Sequence, residues 1–491
     1  MPKLLSNLSC SPCPTGLSVV VLWCLVSAGP GAAADTVVDN ATKLRQCLER
    51  QVKPGRAGRW GVVVKELPGG RVLFSRNANL GFNPASNIKL ITAAAVLDRL
   101  GPGYRFATDL FGELRRGVLQ GGLYLRGACD PSLSTARLVE MARRLRGMGV
   151  RRIRGPLYLD LSAYVGPTDP PGFRRFRSSH PFRAGVGALS LDHNVVHIAV
   201  TPPTRAGEPP VVRVTPESEY VRLKSLVCGS SKATRLRVST HPQGRATWVT
   251  VGGQIKLGSK TRTFWRRVYD PALFTGYTFI RLLRAAGIEV DPRVGSRRVP
   301  PTATRLLSDR SPVLNAIVRS GTKHSSNVVA EHLLLALGAD RFGWPATMDK
   351  GRRAVRRYLK RLGVEPQSTF LENGSGLSRR SSIHPVDMVG VLEGIYRDFG
   401  LQPELLSALP LAGVDGTLRR RLVRSRARGR VRAKTGTLSG SSCLSGYAAG
   451  GDGRVLLFTF LAGRVRKMPV VRWRQSAMAA CLVDYLAPDP P

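Results

Sequence analysis

Apolar and polar positions divide the chain into three stretches of different texture. In the first, a helical pattern over 40–52 precedes two apolar runs, 60–66 and 71–75, that read as strands. Pro68-Gly69-Gly70 between them signals a turn, so the two form a hairpin. From Ile88 to Leu97 nearly every position is then apolar. A helix with no polar face belongs inside the core of a sizeable domain. Gly101 supplies a stop just past its end. Pro84 fits a turn entering this helix better than a place within it.

The second stretch begins after about residue 107. Strand-like runs recur at 108–114, 122–127, 157–160, 194–200, 211–215, 234–239 and 247–256, separated by Gly- and Pro-rich turns. One clear helix, 134–148, lies among them, and 165–186 and 202–210 read as Pro/Gly/Arg loops. In the third stretch helical periodicity returns at 273–287, followed by a Pro-, Arg- and Thr-rich loop over 291–304. Helices are expected at 311–319, 326–338, 350–363, 384–399 and 401–408, then strands at 431–435, 442–449 and 454–462. Residues 468–487 close the chain as a helix. The economical organisation is a discontinuous α/β (α+β) catalytic domain, 35–107 with 301–491, interrupted by a β-rich accessory module over 108–300 that has room for two subdomains.

Composition changes this picture in two places. With 491 residues and 43% hydrophobic content the chain can build large cores. Its formal net charge of +43 favours anionic surroundings: nucleic acid, a membrane surface or an acidic polymer. The arginines of 142–154 and 417–432 are interrupted by apolar residues and form neither a compact basic helix nor an aromatic stacking platform. They read as solvated faces, so the sequence points away from specific nucleic-acid binding and leaves anionic envelope polymers as partners. The N-terminus reads as a secretory leader over 1–34: Lys3, an apolar core over 17–28 too short to span a bilayer comfortably, and Ala32-Ala33-Ala34 as a cleavage site. An uncleaved N-terminal anchor is the alternative.

Of eight cysteines, Cys47, Cys129, Cys228, Cys443 and Cys481 follow that leader. No Cys-x-x-Cys pair occurs among these five, which argues against zinc. Cys47 and Cys481 lie in the first and last expected helices and would pair if those helices touch. His193 and His197 are four apart in a strand-like run, and no metal or cofactor is expected.

Three short motifs carry candidate chemistry. Ser86 and Lys89 stand one helical turn apart, so a hydroxyl and an amine would share one face of the buried helix. An adjacent base activates a weak hydroxyl. The plain alternative is a serine N-cap with a lysine three residues later. Beyond the insert, Ser325-Ser326-Asn327 opens an apolar helical run, and Lys434-Thr435-Gly436-Thr437 lies on a strand. In the order Ser-x-x-Lys, Ser-x-Asn, Lys-Thr-Gly, the triple is that of penicillin-binding proteins and class A β-lactamases.

Further text strengthens the likeness: Phe82-Asn83-Pro84-Ala85-Ser86-Asn87, Asp130-Pro131-Ser132-Leu133, Ala188-Leu189-Ser190-Leu191-Asp192-His193-Asn194, Glu372 to Arg379 and Leu411 to Leu418. Over about 40–487 the chain resembles the low-molecular-mass class C penicillin-binding proteins, D-alanyl-D-alanine carboxypeptidases and endopeptidases. That family also carries an insert between its first two motifs. The resemblance implies a penicillin-recognising serine transpeptidase/β-lactamase-like fold and a periplasmic or cell-envelope location. It implies peptidoglycan stem peptides as substrate and β-lactams as covalent inhibitors. Ser86 would form the acyl-enzyme, and Lys89, kept neutral by burial and by Lys434, would take its proton. Ser325 would relay a proton to the leaving amine, and Asn327 would hold a substrate amide and Lys89. Lys434, Thr435 and Thr437 would face the substrate carboxylate, while Gly436 would let its backbone lie close. The backbone N–H groups of Ser86 and Thr437 would form the oxyanion hole. A β-lactamase, and an inactive wall-binding protein on the same fold, are the competing readings.

Overall fold

The computed structural model describes residues 30–53, 58–205, 208–365 and 369–487. Most of the leader reading therefore falls outside the described residues, and the helix expected over 40–52 is the end of a longer one, Pro30–Val52. Among the described residues, no helix is long and apolar enough to cross a membrane.

The two chain ends meet in one antiparallel sheet. Its strand order is Val431–Leu438, Ser441–Ala449, Val455–Gly463, Arg59–Leu67, Val72–Arg76. The last strand of the chain thus pairs with the first, Val62 opposite Phe460, which unites the parts on either side of the insert. Both faces of the sheet are covered, so its inner strands are apolar almost throughout. One face packs Val62, Val64, Leu444, Phe458 and Phe460 against the first and last helices, Pro30–Val52 and Met468–Tyr485. A disulfide joins Cys47 to Cys481 across that pair. The other face packs Val63, Leu457 and Leu461 against a layer of helices that includes Ile88–Leu100 and Asn327–Phe342. Ile88–Leu100 is buried from Ile88 to Leu97, and each large aliphatic side chain there contributes about 1.5–3 kcal/mol by leaving water.

The insert has its own core. A mixed sheet in the order Glu289–Val290, Arg152–Ile153, Val118–Arg126, Ala107–Arg115, Thr304–Arg310 packs against helices Thr135–Gly147 and Pro271–Ala285. Two three-stranded sheets extend the same core: Arg235–Gln243, Ala246–Lys256, Val221–Ser230, and Arg262–Arg267, Val195–Thr201, Val211–Thr215. The two-residue strands Arg152–Ile153 and Glu289–Val290 are not among those expected, and three longer ones also depart from the sequence expectation. Thr304–Arg310 pairs with Ala107–Arg115, so the insert's sheet runs ten residues past the boundary expected at 300. Val221–Ser230 is not among the expected strands although Val221-Arg222-Leu223-Lys224 alternates; the strand is exposed along most of its length. Arg262–Arg267 buries Arg266 and Arg267, which a hydropathy pattern assigns to solvent.

Candidate active site

Ser86 sits on a single 3-10 turn, Ala85–Asn87, that feeds directly into the buried helix Ile88–Leu100. The N-cap positions are Pro84 for the turn and Asn87 for the helix, which removes the plain reading of Ser86 as an N-cap. Ala85 is held in the left-handed region at φ 46°, a strained conformation for a residue with a Cβ. Neighbours fix the turn. Asn87 is fully buried and donates from Nδ2 to Ser445 Oγ on the central sheet at 2.7 Å. Asn83 Oδ1 accepts from Ala85 N at 2.9 Å. Gly376 lies against the turn so closely that a Cβ there would fall 1.8 Å from the Ala85 carbonyl oxygen. The Asn373-Gly374-Ser375-Gly376 segment thus braces the Ser86 turn.

One turn along, Lys89 is 2% exposed. Its Nζ lies 2.9 Å from Ser86 Oγ, 2.7 Å from Asn327 Oδ1 and 2.6 Å from the Ser375 carbonyl oxygen. Two of these partners can only accept, so they engage two N–H groups and leave the third position facing the hydroxyl. Burial holds the Lys89 amine well below the usual lysine range, with the Lys434 charge acting in the same direction and Glu331 opposing. The shift favours loss of a proton from this amine, and its Nζ lies within proton-transfer distance of the Ser86 hydroxyl.

Ser325 precedes helix Asn327–Phe342 and is also left-handed, at φ 57°. The N-cap of that helix is Ser326, which accepts from Val329 N, so Ser325 is free to point elsewhere. It accepts from Lys434 Nζ at 2.8 Å. Lys434 also donates to the Thr435 carbonyl oxygen at 2.8 Å, and burial pulls its amine down to about 7. The strand Val431–Leu438 is at the edge of the sheet; its outward backbone groups at Val431 and Ala433 pair with Ala412 and Pro410, so the row faces the cleft only beyond Ala433.

A cleft of about 1060 Å³ brings together Ser86, Ser325, Asn327, Thr435, Gly436 and Thr437. Two expected roles take a different form. Lys434 has no exposed surface and is not among the cleft-lining residues; it meets the cleft through Ser325 rather than by direct contact. The missing Cβ of Gly436 faces the Pro84 carbonyl at 2.8 Å and Cys443 Cβ at 3.0 Å. The glycine is thus required for the strand to pack on the Ser86 turn.

Several residues around the site were not singled out from the sequence. Glu331 is fully buried and accepts from Gly374 N at 3.0 Å and Ser375 N at 2.9 Å, orienting the peptide whose carbonyl holds Lys89. Burial pushes its carboxyl upward against those hydrogen bonds. From the insert, the Phe182 carbonyl accepts from Asn327 Nδ2 at 2.7 Å. That loop is held by Asp169, which pairs with Arg183 at 3.0 Å and with the buried Arg267 at 2.8 Å. Phe173 packs on Ala85, Leu377 and Leu438. The sequence showed 165–186 only as a loop, because nothing in its Pro/Gly/Arg composition reports that it reaches another domain. His193 and His197 lie in the insert, His197 tilted beside Trp265 at 5.1 Å, and neither lines the cleft that contains Ser86.

A five-stranded antiparallel sheet covered by helices on both faces, with the Ser-x-x-Lys, Ser-x-Asn and Lys-Thr-Gly motifs brought together at one cleft, matches the penicillin-recognising serine hydrolases. The sequence matches a family within that class, D-Ala-D-Ala carboxypeptidase 3 (S13), over residues 44–484, and the chain belongs to it. It is a serine D-Ala-D-Ala carboxypeptidase. A D-alanyl-D-alanine carboxypeptidase from an Actinomadura species is 33% identical over 95% of this chain and 89% of its own. The DacB carboxypeptidase of Haemophilus influenzae is 26% identical over 85% of this chain and 89% of its own. The crystal structure of penicillin binding protein 4 from that organism superposes with a TM-score of 0.76 at 25% identity, covering 88% of this chain and 97% of the other. A structure of the same protein complexed with a β-lactam gives 0.71.

Proposed function

We propose that Ser86 attacks the carbonyl of the penultimate D-Ala of a peptidoglycan stem peptide. Lys89 takes the hydroxyl proton, and the amine of the terminal D-Ala leaves as Ser325, backed by Lys434, delivers a proton to it. Water then releases the acyl-enzyme by the same route in reverse. The Ser86 and Thr437 N–H groups receive the oxyanion. Asn327 serves both Lys89 and the substrate amide, and the edge strand lets the peptide lie alongside it. The observation that carries this reading is the Lys89 amine, buried, held by two obligate acceptors and 2.9 Å from Ser86 Oγ.

The same chemistry applies to D-Ala–meso-diaminopimelate cross-links, so DD-endopeptidase activity is part of the proposal. The location proposed is outside the inner membrane, in the periplasm or envelope. The Cys47–Cys481 disulfide supports an oxidising compartment, and the +43 charge suits residence among anionic polymers. The test is Ser86→Ala: labelling by a fluorescent penicillin and D-Ala release must both vanish while the melting temperature holds. Retained labelling refutes the assignment of the nucleophile. Rapid turnover of penicillin by the wild type, in place of a long-lived acyl-enzyme, would favour a β-lactamase.

A further inference from the structure

Beyond Thr437 the cleft continues toward the C-terminal helix Met468–Tyr485, and its lining there changes character: Arg420, Arg421, Arg472 and Trp473. Arg472 is exposed and donates from its guanidinium to Thr437 Oγ1 at 3.2 Å. Arg421 donates to the Arg472 carbonyl oxygen at 2.8 Å and to Ser476 Oγ at 3.1 and 3.0 Å. Neither guanidinium has a carboxylate partner among the described residues. Burial and the neighbouring Arg472 charge pull Arg421 down to about 10. Two like charges held together over a cleft without a counter-ion favour binding an anion.

Lys434 cannot supply that contact itself, because it has no exposed surface and its amine is engaged by Ser325 and by Thr435. We propose that Arg472 is the specificity-determining cation of the cleft: its guanidinium, beside the Thr437 hydroxyl, binds the terminal carboxylate of the leaving D-alanine, and Arg421 positions it. The arginine forks onto a carboxylate, a geometry that an ammonium group lacks. Lys434 is left to the proton route through Ser325. This assignment rests on the carboxypeptidase reading and names the residue by which that site selects a free carboxyl end.

The experiment compares diacetyl-L-Lys-D-Ala-D-Ala with its C-terminal amide. The wild type should prefer the acid. In Arg472→Gln the ratio of kcat/KM for acid over amide should fall on the order of 10- to 100-fold, the worth of a hydrogen bond to a charged group. Arg472→Lys should restore part of it, and Lys434→Gln should depress both substrates together. Thermal melting of each variant confirms that it is folded. Equal losses on acid and amide in Arg472→Gln, or a collapse of the ratio in Lys434→Gln alone, overturn the proposal and leave the carboxypeptidase reading standing. A wild type that cleaves neither peptide overturns both.

Discussion

Glu331→Gln offers a direct test of how the fold tunes Lys89. The carboxylate accepts one backbone N–H on each oxygen, from Gly374 and Ser375. Glutamine keeps one acceptor and turns an NH2 group toward the other donor, so one buried N–H loses its partner at a cost of about 1–3 kcal/mol. The charge effect is separate. Glu331 is the one named influence that raises the Lys89 amine, against burial and Lys434. Without it the amine falls further and stays neutral to lower pH. The assay is the second-order rate of acylation by a chromogenic cephalosporin between about pH 4 and 9, with thermal melting alongside. The acid limb should move to lower pH in Glu331→Gln while the protein loses stability. A limb that stays in place, or moves to higher pH, refutes the reasoning.

Other outcomes follow from the same geometry. Asp169→Asn removes the partner of Arg267, which is 1% exposed; leaving that charge unpaired should cost about 3–5 kcal/mol, and the loop carrying Phe182 should loosen, seen as a raised KM. Replacing Cys47 and Cys481 by serine opens a crosslink spanning 434 residues; chain entropy puts the loss at up to ~5 kcal/mol, measured as a fall in the urea midpoint, and an unchanged midpoint would contradict it. His332 is fully buried beside Ser190, 2.8 Å away, and burial lowers its imidazole from 6.5 to about 4. The folded state therefore binds fewer protons than the unfolded chain between those values, so this contribution is full above pH 6.5 and is lost as pH falls to 4. It amounts to about 3 kcal/mol, and His332→Gln should flatten the stability profile across that window.

The Ser86–Lys89 helix shows what local sequence carries. Its unbroken apolar run, its Gly101 stop and the three-residue spacing of hydroxyl and amine are all statements about neighbours along the chain, and the structure keeps each of them. Ser325, Asn327 and Lys434 were legible for the same reason: each lies in a short motif with its own secondary-structure context. Two similar stretches flanking a dissimilar one suggested a shared core, but which strands join them, the first and the last, is seen only in the structure. The class of fold and the chemistry follow from this much.

Other features depended on surroundings that no chain neighbour reports. Glu331 and His332 stand in an apolar helical run where the sequence assigns them no role; only packing shows one bracing the Ser375 peptide and the other joined to the insert through Ser190. Lys434 read as a cation facing substrate, but the fold buries it and brings Arg472 from the C-terminal helix to Thr437 instead. Arg421 read as part of a solvated run, yet Ser476 and the Arg472 carbonyl fix it at the cleft. The sequence by itself determined the candidate reacting groups, because their spacing within a turn or a strand is short-range geometry. Only the tertiary structure decided their burial, their charged neighbours and their support, because these come from segments hundreds of residues apart.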